Sequence, residues 1–233
     1  MHESVIREIT PLTQSDCFTL FVRTKSEFDF PLHYHDEIEL NFIKNARGAK
    51  RIIGDHVSEI SDLELVLVGP NLPHGWFGNG FRENQVEETT IQFHKDFFDD
   101  KFLQKNQLNF IRSMLRKSVR GILFSRETTK LLESRICGLH KKQGFDSVLE
   151  LMSILHDLSI SRDYHILSDT GFNDPEVFSY NSRRIEKVME FINTRFEKPV
   201  TLEEAARIAN MTESAFSRFF KLRTGITFID CLT

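Results

Sequence analysis

The spacing of apolar residues changes once along this 233-residue chain, close to residue 96. Before that point, short apolar segments rich in β-branched and aromatic residues are bounded by turn-forming residues, which is typical of β-strands. After it, apolar residues recur every three or four positions, which predicts amphipathic helices near residues 108–119, 132–139 and 148–155. The chain therefore predicts an α+β fold, without the regular alternation of strand and helix that would favour a parallel sheet. The predicted strands are 17–22, 38–43, 63–68 and 89–93, with a further one at 121–124.

Turn-forming residues separate the predicted strands at 45–48, 53–55, 69–71 and 78–80. Such short connections favour antiparallel hairpins in a sandwich or a β-barrel, and we expect the barrel, with helices at its side. The apolar faces of the helices must be covered by the barrel or by a second copy of the chain. We expect a homodimer formed through the helices near residues 127–160.

The cysteines and the apolar segments indicate the compartment. Cys17, Cys137 and Cys231 are far apart and have no metal-ligand spacing, which fits buried thiols in a reducing environment. No apolar run reaches the roughly 18 to 20 residues of a membrane span, and the first residues lack a basic region followed by an apolar one. The sequence therefore predicts a cytoplasmic protein without a membrane partner.

A polar stretch broken by glycine and proline predicts a linker at 168–182, between a domain at 1–167 and a second domain at 183–233. From residue 182 to the end, nine Lys and Arg stand against seven Asp and Glu, a net charge of +2, while the chain as a whole carries −4. The cationic end is a hint of a nucleic-acid partner.

The second domain predicts a helix-turn-helix. Its first helix spans 185–196, and Thr201 and Glu204 form a capping box that opens a second, short helix. Asn210 suits a left-handed turn, and Thr212 caps a third helix whose phenylalanines face inward. A small helical bundle that mediates only protein contacts is the alternative. The residues expected on or beside the DNA-facing side are Thr212, Ser214, Ser217, Arg218, Lys221 and Arg223, of which Arg218 suits guanine best.

The segments 202–206, 211–221 and 224–228 resemble the AraC-type transcription regulators. The resemblance implies a DNA-binding domain with two helix-turn-helix units joined by a long helix, preceded by a cupin-like barrel that senses a small molecule. The sequence ends at Thr233, within what would be the joining helix. The resemblance therefore implies that the second unit is missing here and that DNA binding is weakened.

The pattern His33-x-His35, followed by Glu39 and later by His74, resembles the two cupin motifs. The resemblance implies that these four side chains converge inside the barrel, where three imidazoles and one carboxylate could ligate Fe, Mn, Ni or Zn. Glu27 and the segment 69–71 stand where cupins have a glycine and a Pro-x-Gly. We therefore expect no bound metal and no other cofactor.

Three interpretations of the histidine segment remain open. In the first, which we favour, His33, His35, Glu39, His74 and Trp76 bind an organic effector such as a sugar, by hydrogen bonds and ring stacking. The leading hypothesis is then a ligand-responsive, sequence-specific DNA-binding regulator with no catalytic residue. The second is a metal-dependent cupin enzyme, an oxygenase or isomerase, with a helical accessory domain. The third is that the polar side of the strand simply faces water.

Overall fold

The computed structural model describes residues 5–78, 85–169, 184, 187–188, 191–192, 200–224 and 227–232. The chain divides into two compact units, each described by itself below. Unit 1 comprises Met1–Ile53 and Glu59–Leu167, and unit 2 comprises Gly54–Ser58 and Ser168–Thr233. From residue 170 onward, the predicted linker at 168–182 lies outside the described residues. None of the helices in the described ranges combines the length and the apolar character needed to span a bilayer.

The structure is α+β, as predicted. The strands are β1 (Ile6–Arg7), β2 (Phe18–Lys25), β3 (His33–Tyr34), β4 (Ile38–Lys44), β5 (Lys50–Ile53), β6 (His56–Glu59), β7 (Leu63–Val68), β8 (His74–Phe77), β9 (Val86–Phe93), β10 (Ile122–Phe124) and β11 (Tyr164–Ile166). The helices are α1 (Asp100–Leu103), α2 (Asn109–Ser118), α3 (Arg126–Gly138), α4 (Gly144–Ile160), α5 (Leu202–Ile208), α6 (Glu213–Thr224) and α7 (Phe228–Leu232). Short 3-10 turns lie at Asn106–Leu108 and Leu139–Lys141.

The strands form two sheets, so the expected closed barrel is wrong, although the turn spacing also allows a sandwich. One sheet has the order β11-β10-β7-β4-β9-β2, and the other has the order β1-β3-β8-β5-β6. Closure requires the edge strands to hydrogen-bond along their length, but β1 and β3 have only two residues each. They pair in parallel with each other, whereas the larger sheet is antiparallel throughout. The spacing of hairpins predicts which strands are neighbours. It does not predict whether the outermost strands pair with each other and close a barrel.

Side chains along the central strand β4 point alternately to the two faces of the sheet, and each face belongs to a different apolar core. Leu40 and Phe42 are fully buried in the cluster that includes the apolar faces of α2, α3 and α4. Ile43 belongs to a second cluster, which holds Ile53 and Trp76 from the smaller sheet. Because β4 is covered on both faces, even its polar residues Glu39 and Asn41 are withdrawn from water. The helices therefore bury their apolar stripes on the sheet, which leaves a few apolar side chains exposed.

Gly69 is required by a close approach between β7 and α2. Its amide donates to the carbonyl of Ser118 at 2.7 Å, and a Cβ at this position would lie 2.5 Å from the backbone nitrogen of Val119. No other residue fits at that distance without moving the helix end. The sequence identifies Gly69 as a turn residue, and the structure shows that its missing side chain matters for packing.

The cap of α5 and the turn that follows α5 in unit 2 agree with the predictions from the sequence. The predicted capping box is confirmed, since Thr201 Oγ1 accepts from the Glu204 amide and the Glu204 carboxylate accepts from the Thr201 amide. Asn210 adopts the predicted left-handed conformation with a φ of 53°. Much of the predicted helix at 185–196 lies outside the described residues, so an all-α helix-turn-helix domain stays a prediction.

The prediction of buried cysteines is wrong for Cys17, which is exposed, and Cys137 is only half-buried. Cys17 directly precedes β2, an edge strand of the larger sheet, so little of the molecule covers it. The side chain of Cys231 lies outside the described residues.

Candidate functional site

Three histidines and one glutamate converge inside unit 1. His33 on β3 pairs directly with His74 on β8, Glu39 lies on β4, and His35 lies in the connection between β3 and β4. These residues are between 1% and 6% exposed, and their candidate ligand atoms all lie within 4.8 Å of one another. The interpretation that this polar face is open to water is therefore wrong.

The backbone fixes the orientation of all three imidazoles. The Nδ1 atom of His33 lies 2.8 Å from the carbonyl of Pro31, that of His35 lies 3.1 Å from the carbonyl of Glu37, and that of His74 lies 2.8 Å from the carbonyl of Leu72. A carbonyl oxygen only accepts, so each Nδ1 carries the hydrogen. In its neutral form each ring then presents the lone pair of Nε2, and backbone carbonyls of this kind orient metal-bound histidines in proteins.

The Nε2 atoms face the Glu39 carboxylate. His35 Nε2 lies 3.2 Å from Glu39 Oε2, and His74 Nε2 lies 3.6 Å from Glu39 Oε1. The second distance exceeds that of a hydrogen bond, and the structure gives His74 Nε2 no hydrogen-bond partner among the described residues. Since buried polar atoms are nearly always satisfied, this atom indicates a place for a ligand.

The charges of the cluster follow from burial and proximity. Burial, together with His74, lowers the pKa of His33 to about 3, so this ring is neutral at pH 7. Burial alone would lower the pKa of His35, but the hydrogen bond and the charge of Glu39 outweigh it and raise that pKa. Burial would raise the pKa of Glu39, but His74 and His35 hold it well below its usual range. Glu39 is therefore an anion at pH 7, with His35 as its partner.

Gln92 and Glu8 also belong to the cluster, although neither is among the predicted site residues. The Gln92 amide donates to Glu39 Oε2 at 3.1 Å and to Glu8 Oε2 at 3.2 Å. Gln92 lies opposite Glu39 in the β4–β9 register, which a strand alignment could have indicated. Glu8 follows β1, and no spacing in the sequence connects it with the histidines. Burial, then repulsion from Glu39, raises the pKa of the Glu8 carboxyl group.

Trp76 is held beside the cluster by a buried ion pair. Its indole Nε1 donates to Glu64 Oε1 at 2.9 Å, and the other oxygen of Glu64 pairs with Arg51. Arg51 and Glu64 are 2% and 4% exposed. The ring of Trp76 lies 6.0 Å from that of His74. The structure therefore brings together all five predicted effector residues.

The cavity at this site is small. It measures about 70 Å³, and its lining includes Glu8, His33, Glu39, Trp76 and Gln92. Arg23 and Lys25, both near Glu88, also line it. Pockets for drug-sized ligands usually measure about 300–1,000 Å³. In this conformation the site has room for a cation with a few water molecules, and a sugar would require it to widen. Three imidazole nitrogens and a carboxylate oxygen also form a donor set that fits a divalent transition metal.

The second candidate site is the exposed side of α6 in unit 2. Thr212 caps this helix by accepting from the Ala215 amide at 3.3 Å. Ser214, Arg218 and Lys221 are exposed, and Ser217 is half-buried. No carboxylate in the described part of the chain forms an ion pair with Arg218 or Lys221, so both charges are available to a partner. The side chain of Arg223 lies outside the described residues.

Comparisons with known proteins give only distant similarities. No family model and no curated protein match the chain. Among solved structures, it is similar to an apo variant of ToxT from Vibrio cholerae, with 13% identity and a TM-score of 0.42 over 94% of this chain and 97% of that one. It is also similar to CuxR, an AraC-like transcriptional activator, with 11% identity and a TM-score of 0.39 over 80% of this chain and 61% of that one. At these scores the similarities carry no argument about function.

Proposed function

We propose that this chain is a ligand-responsive, sequence-specific DNA-binding transcription regulator. The observation that carries the proposal is the arrangement of α5, the Asn210 turn and α6. A short capped helix, a left-handed turn and a second helix with an exposed cationic side form the pattern of a helix-turn-helix, whose second helix enters the major groove. The sequence resemblance to AraC-type regulators supports the same conclusion. Selective binding of the chain to one DNA sequence over a scrambled one tests it.

Packing within unit 2 determines which side of α6 faces a partner. Phe216 and Phe220 are fully buried, and their rings lie 5.4 and 5.3 Å from that of Phe228. The opposite side of the helix therefore carries Arg218 and Lys221. Arg218 suits a paired hydrogen bond to the O6 and N7 atoms of guanine, whereas a lysine suits a phosphate.

Arg218→Ala is expected to relax sequence specificity. Loss of a paired contact to guanine costs about 1–3 kcal/mol against the preferred base and little on other sequences. Fluorescence anisotropy with the selected DNA and with single-base variants measures this. Arg207→Ala is the matched control, because Arg207 is an exposed arginine on α5 that pairs with Glu203 at 2.8 Å. Equal losses on every DNA sequence would show that Arg218 contacts phosphate and would contradict its assigned role.

In this proposal the cavity around His33, His35, Glu39, His74 and Trp76 binds the small effector, in the first instance a hydroxylated molecule such as a carbohydrate. The buried imidazoles and carboxylate supply hydrogen bonds, and Trp76 supplies a ring face. An effector changes DNA binding only if it binds two arrangements of the protein with unequal affinity. Even a small carbohydrate would require the cavity to widen from its present volume of about 70 Å³.

The proposed regulator is a homodimer formed through α3 and α4. Their stripes are buried on the sheet, but Leu131, Phe145 and Leu149 remain 75%, 71% and 48% exposed. Apolar side chains of this size are candidates for burial against a second copy. Phe145→Ser combined with Leu149→Ser is expected to convert the dimer to a monomer in sedimentation velocity at micromolar concentration. Val22→Ser, at a side chain 52% exposed on β2, is the control, and an unchanged oligomeric state in the double variant would contradict the assignment.

A metal-dependent cupin-type enzyme is the second candidate function. The approach of His35 Nε2 and His74 Nε2 to Glu39 favours it, and His33, His35, Glu39 and His74 would hold the metal. A metal there would supply a Lewis acid that polarises a bound oxygen. Metal analysis of untagged protein, together with an assay for turnover and for selective DNA binding, separates the two functions. Turnover without selective DNA binding would favour the enzyme.

A further inference from the structure

We propose that Glu8 supplies a fifth protein donor to a divalent transition-metal cation held by His33, His35, Glu39 and His74. The N-terminal segment would then belong to the binding site. The inference rests on the proposed function, because it concerns the same effector cavity, but it replaces the carbohydrate with a divalent cation as the ligand. It also goes beyond the four-residue pattern of the sequence, in which Glu8 has no place.

Backbone hydrogen bonds to the segment around β3 hold Glu8 next to the cluster. Strand β1 runs parallel to β3, with Ile6 opposite His33. The Ile6 amide donates to the carbonyl of Leu32 at 3.1 Å, and the Glu8 amide donates to the carbonyl of Tyr34 at 2.9 Å. Arg7 pairs with Asp36 at 2.5 Å on the outside. With the neighbouring Arg7 side chain directed outward, the carboxylate of Glu8 reaches the cavity.

Two distances from Glu8, those to His33 and His35, are compatible with a shared cation. Glu8 Oε2 lies 3.7 Å from His33 Nε2 and 3.9 Å from His35 Nε2, too far for hydrogen bonds. Two donors that each lie about 2.1 Å from one metal ion are separated by about 3 to 4 Å, depending on the angle between them. Gln92 holds the carboxylates of Glu8 and Glu39 together by donating to one oxygen of each. The separations of Glu8 from His33 and His35 therefore lie within the range of two donors that share one cation.

The charges also favour a dication. Glu8 and Glu39 place two carboxyl groups at one cavity, and burying two anions side by side is costly unless a cation compensates them. Two carboxylates and three neutral imidazoles around one divalent cation have a net charge of zero. The cavity of about 70 Å³ suits a cation better than a large organic molecule.

A fifth donor changes what the site can do. Catalytic metal sites keep positions open for substrate, whereas closed sites bind the metal without using it. A carboxylate from Glu8 takes one of the positions that a four-residue site leaves open. The inference therefore favours a regulator that responds to the cation itself over a metal-dependent enzyme.

Titration of the full chain with Ni²⁺ or Co²⁺ tests the inference. Trp76 is the only tryptophan in the sequence and lies beside His74, so quenching of its fluorescence reports binding at this site. We expect one cation per chain. Loss of an outer partner of a metal ligand already weakens binding about 10- to 100-fold, so Glu8→Gln is expected to weaken it at least about tenfold. Glu87→Gln, at an exposed carboxylate on β9, is the control and is expected to change the affinity less than twofold.

The outcomes separate this inference from the proposed function. Equal affinity of Glu8→Gln and the wild type, or no binding of either cation to the wild type, overturns the inference. Circular dichroism melting of Glu8→Gln shows whether a weakened affinity reflects loss of fold, and an isothermal titration repeats the measurement without the fluorophore. Selective DNA binding without cation binding would leave the proposed regulator standing. Cation binding that depends on Glu8, without selective DNA binding, would support the inference and contradict the regulator.

Discussion

Glu64→Leu is expected to lower the free energy of unfolding of unit 1 by about 3–5 kcal/mol, because removal of one member of a buried ion pair leaves the other charge uncompensated. Arg51 and Glu64 are almost completely buried, and the same carboxylate accepts from Trp76. The substitution would therefore also remove the hydrogen-bond acceptor of the indole. We expect Trp76, which lines the effector cavity, to lose its fixed position.

Urea unfolding followed by Trp76 fluorescence measures this effect, because the only tryptophan lies in unit 1. Glu87→Leu is the control, since its carboxylate is exposed and surface substitutions usually change stability by less than about 0.5 kcal/mol. The double variant Arg51→Met with Glu64→Leu is expected to recover most of the loss, because an apolar pair of similar volume often replaces a buried ion pair at little cost. A loss below about 1 kcal/mol for Glu64→Leu would contradict this account of the pair.

Phe220→Ala is expected to destabilise unit 2 by about 3–5 kcal/mol, the usual cost of removing a fully buried phenylalanine. Its ring lies 5.6 Å from Phe216 and 5.3 Å from Phe228, so α6 and α7 share one small aromatic core. A unit of this size has little stability to lose. Selective DNA binding should therefore disappear together with the fold of the unit.

Hydrogen exchange of the amides of α5 and α6 measures the stability of unit 2 separately from that of unit 1. Ile229→Ala is the matched control, because Ile229 neighbours Phe228 but is 69% exposed. We expect the control to retain the protection of the wild type. Equal protection in Phe220→Ala would show that the aromatic cluster does not hold α6 in place.

Local patterns explain why much of the fold can be predicted. The strands β4, β7 and β9 and the helices α2, α3 and α4 have long, regular apolar patterns, and each lies close to its predicted position. The capping box and the Asn210 turn depend only on neighbouring residues and are also confirmed. The strands β1 and β3 could not be predicted, because two-residue strands carry no periodic pattern.

Part of the candidate site could likewise be predicted from the sequence, and part could not. The four-residue set of His33, His35, Glu39 and His74 follows from a resemblance in sequence, and the structure brings its members together. Glu8 could not be predicted, because the parallel pairing of β1 with β3 joins positions 27 residues apart. The sequence contains one indication of the role of Glu64, because it is the charged residue in an otherwise apolar strand. Its partner Arg51 lies on a different sheet, and no sequence spacing relates the two.

The most direct test of the proposed function is selection of DNA sequences from a random library by the full chain, followed by affinity measurements at two salt concentrations. A regulator that reads bases through α6 is predicted to enrich one short motif and to prefer it over a scrambled sequence at both salt concentrations. Its affinity should fall as salt rises, since the released counterions oppose binding. Binding of every sequence with equal affinity, or no binding at low salt, would contradict the account.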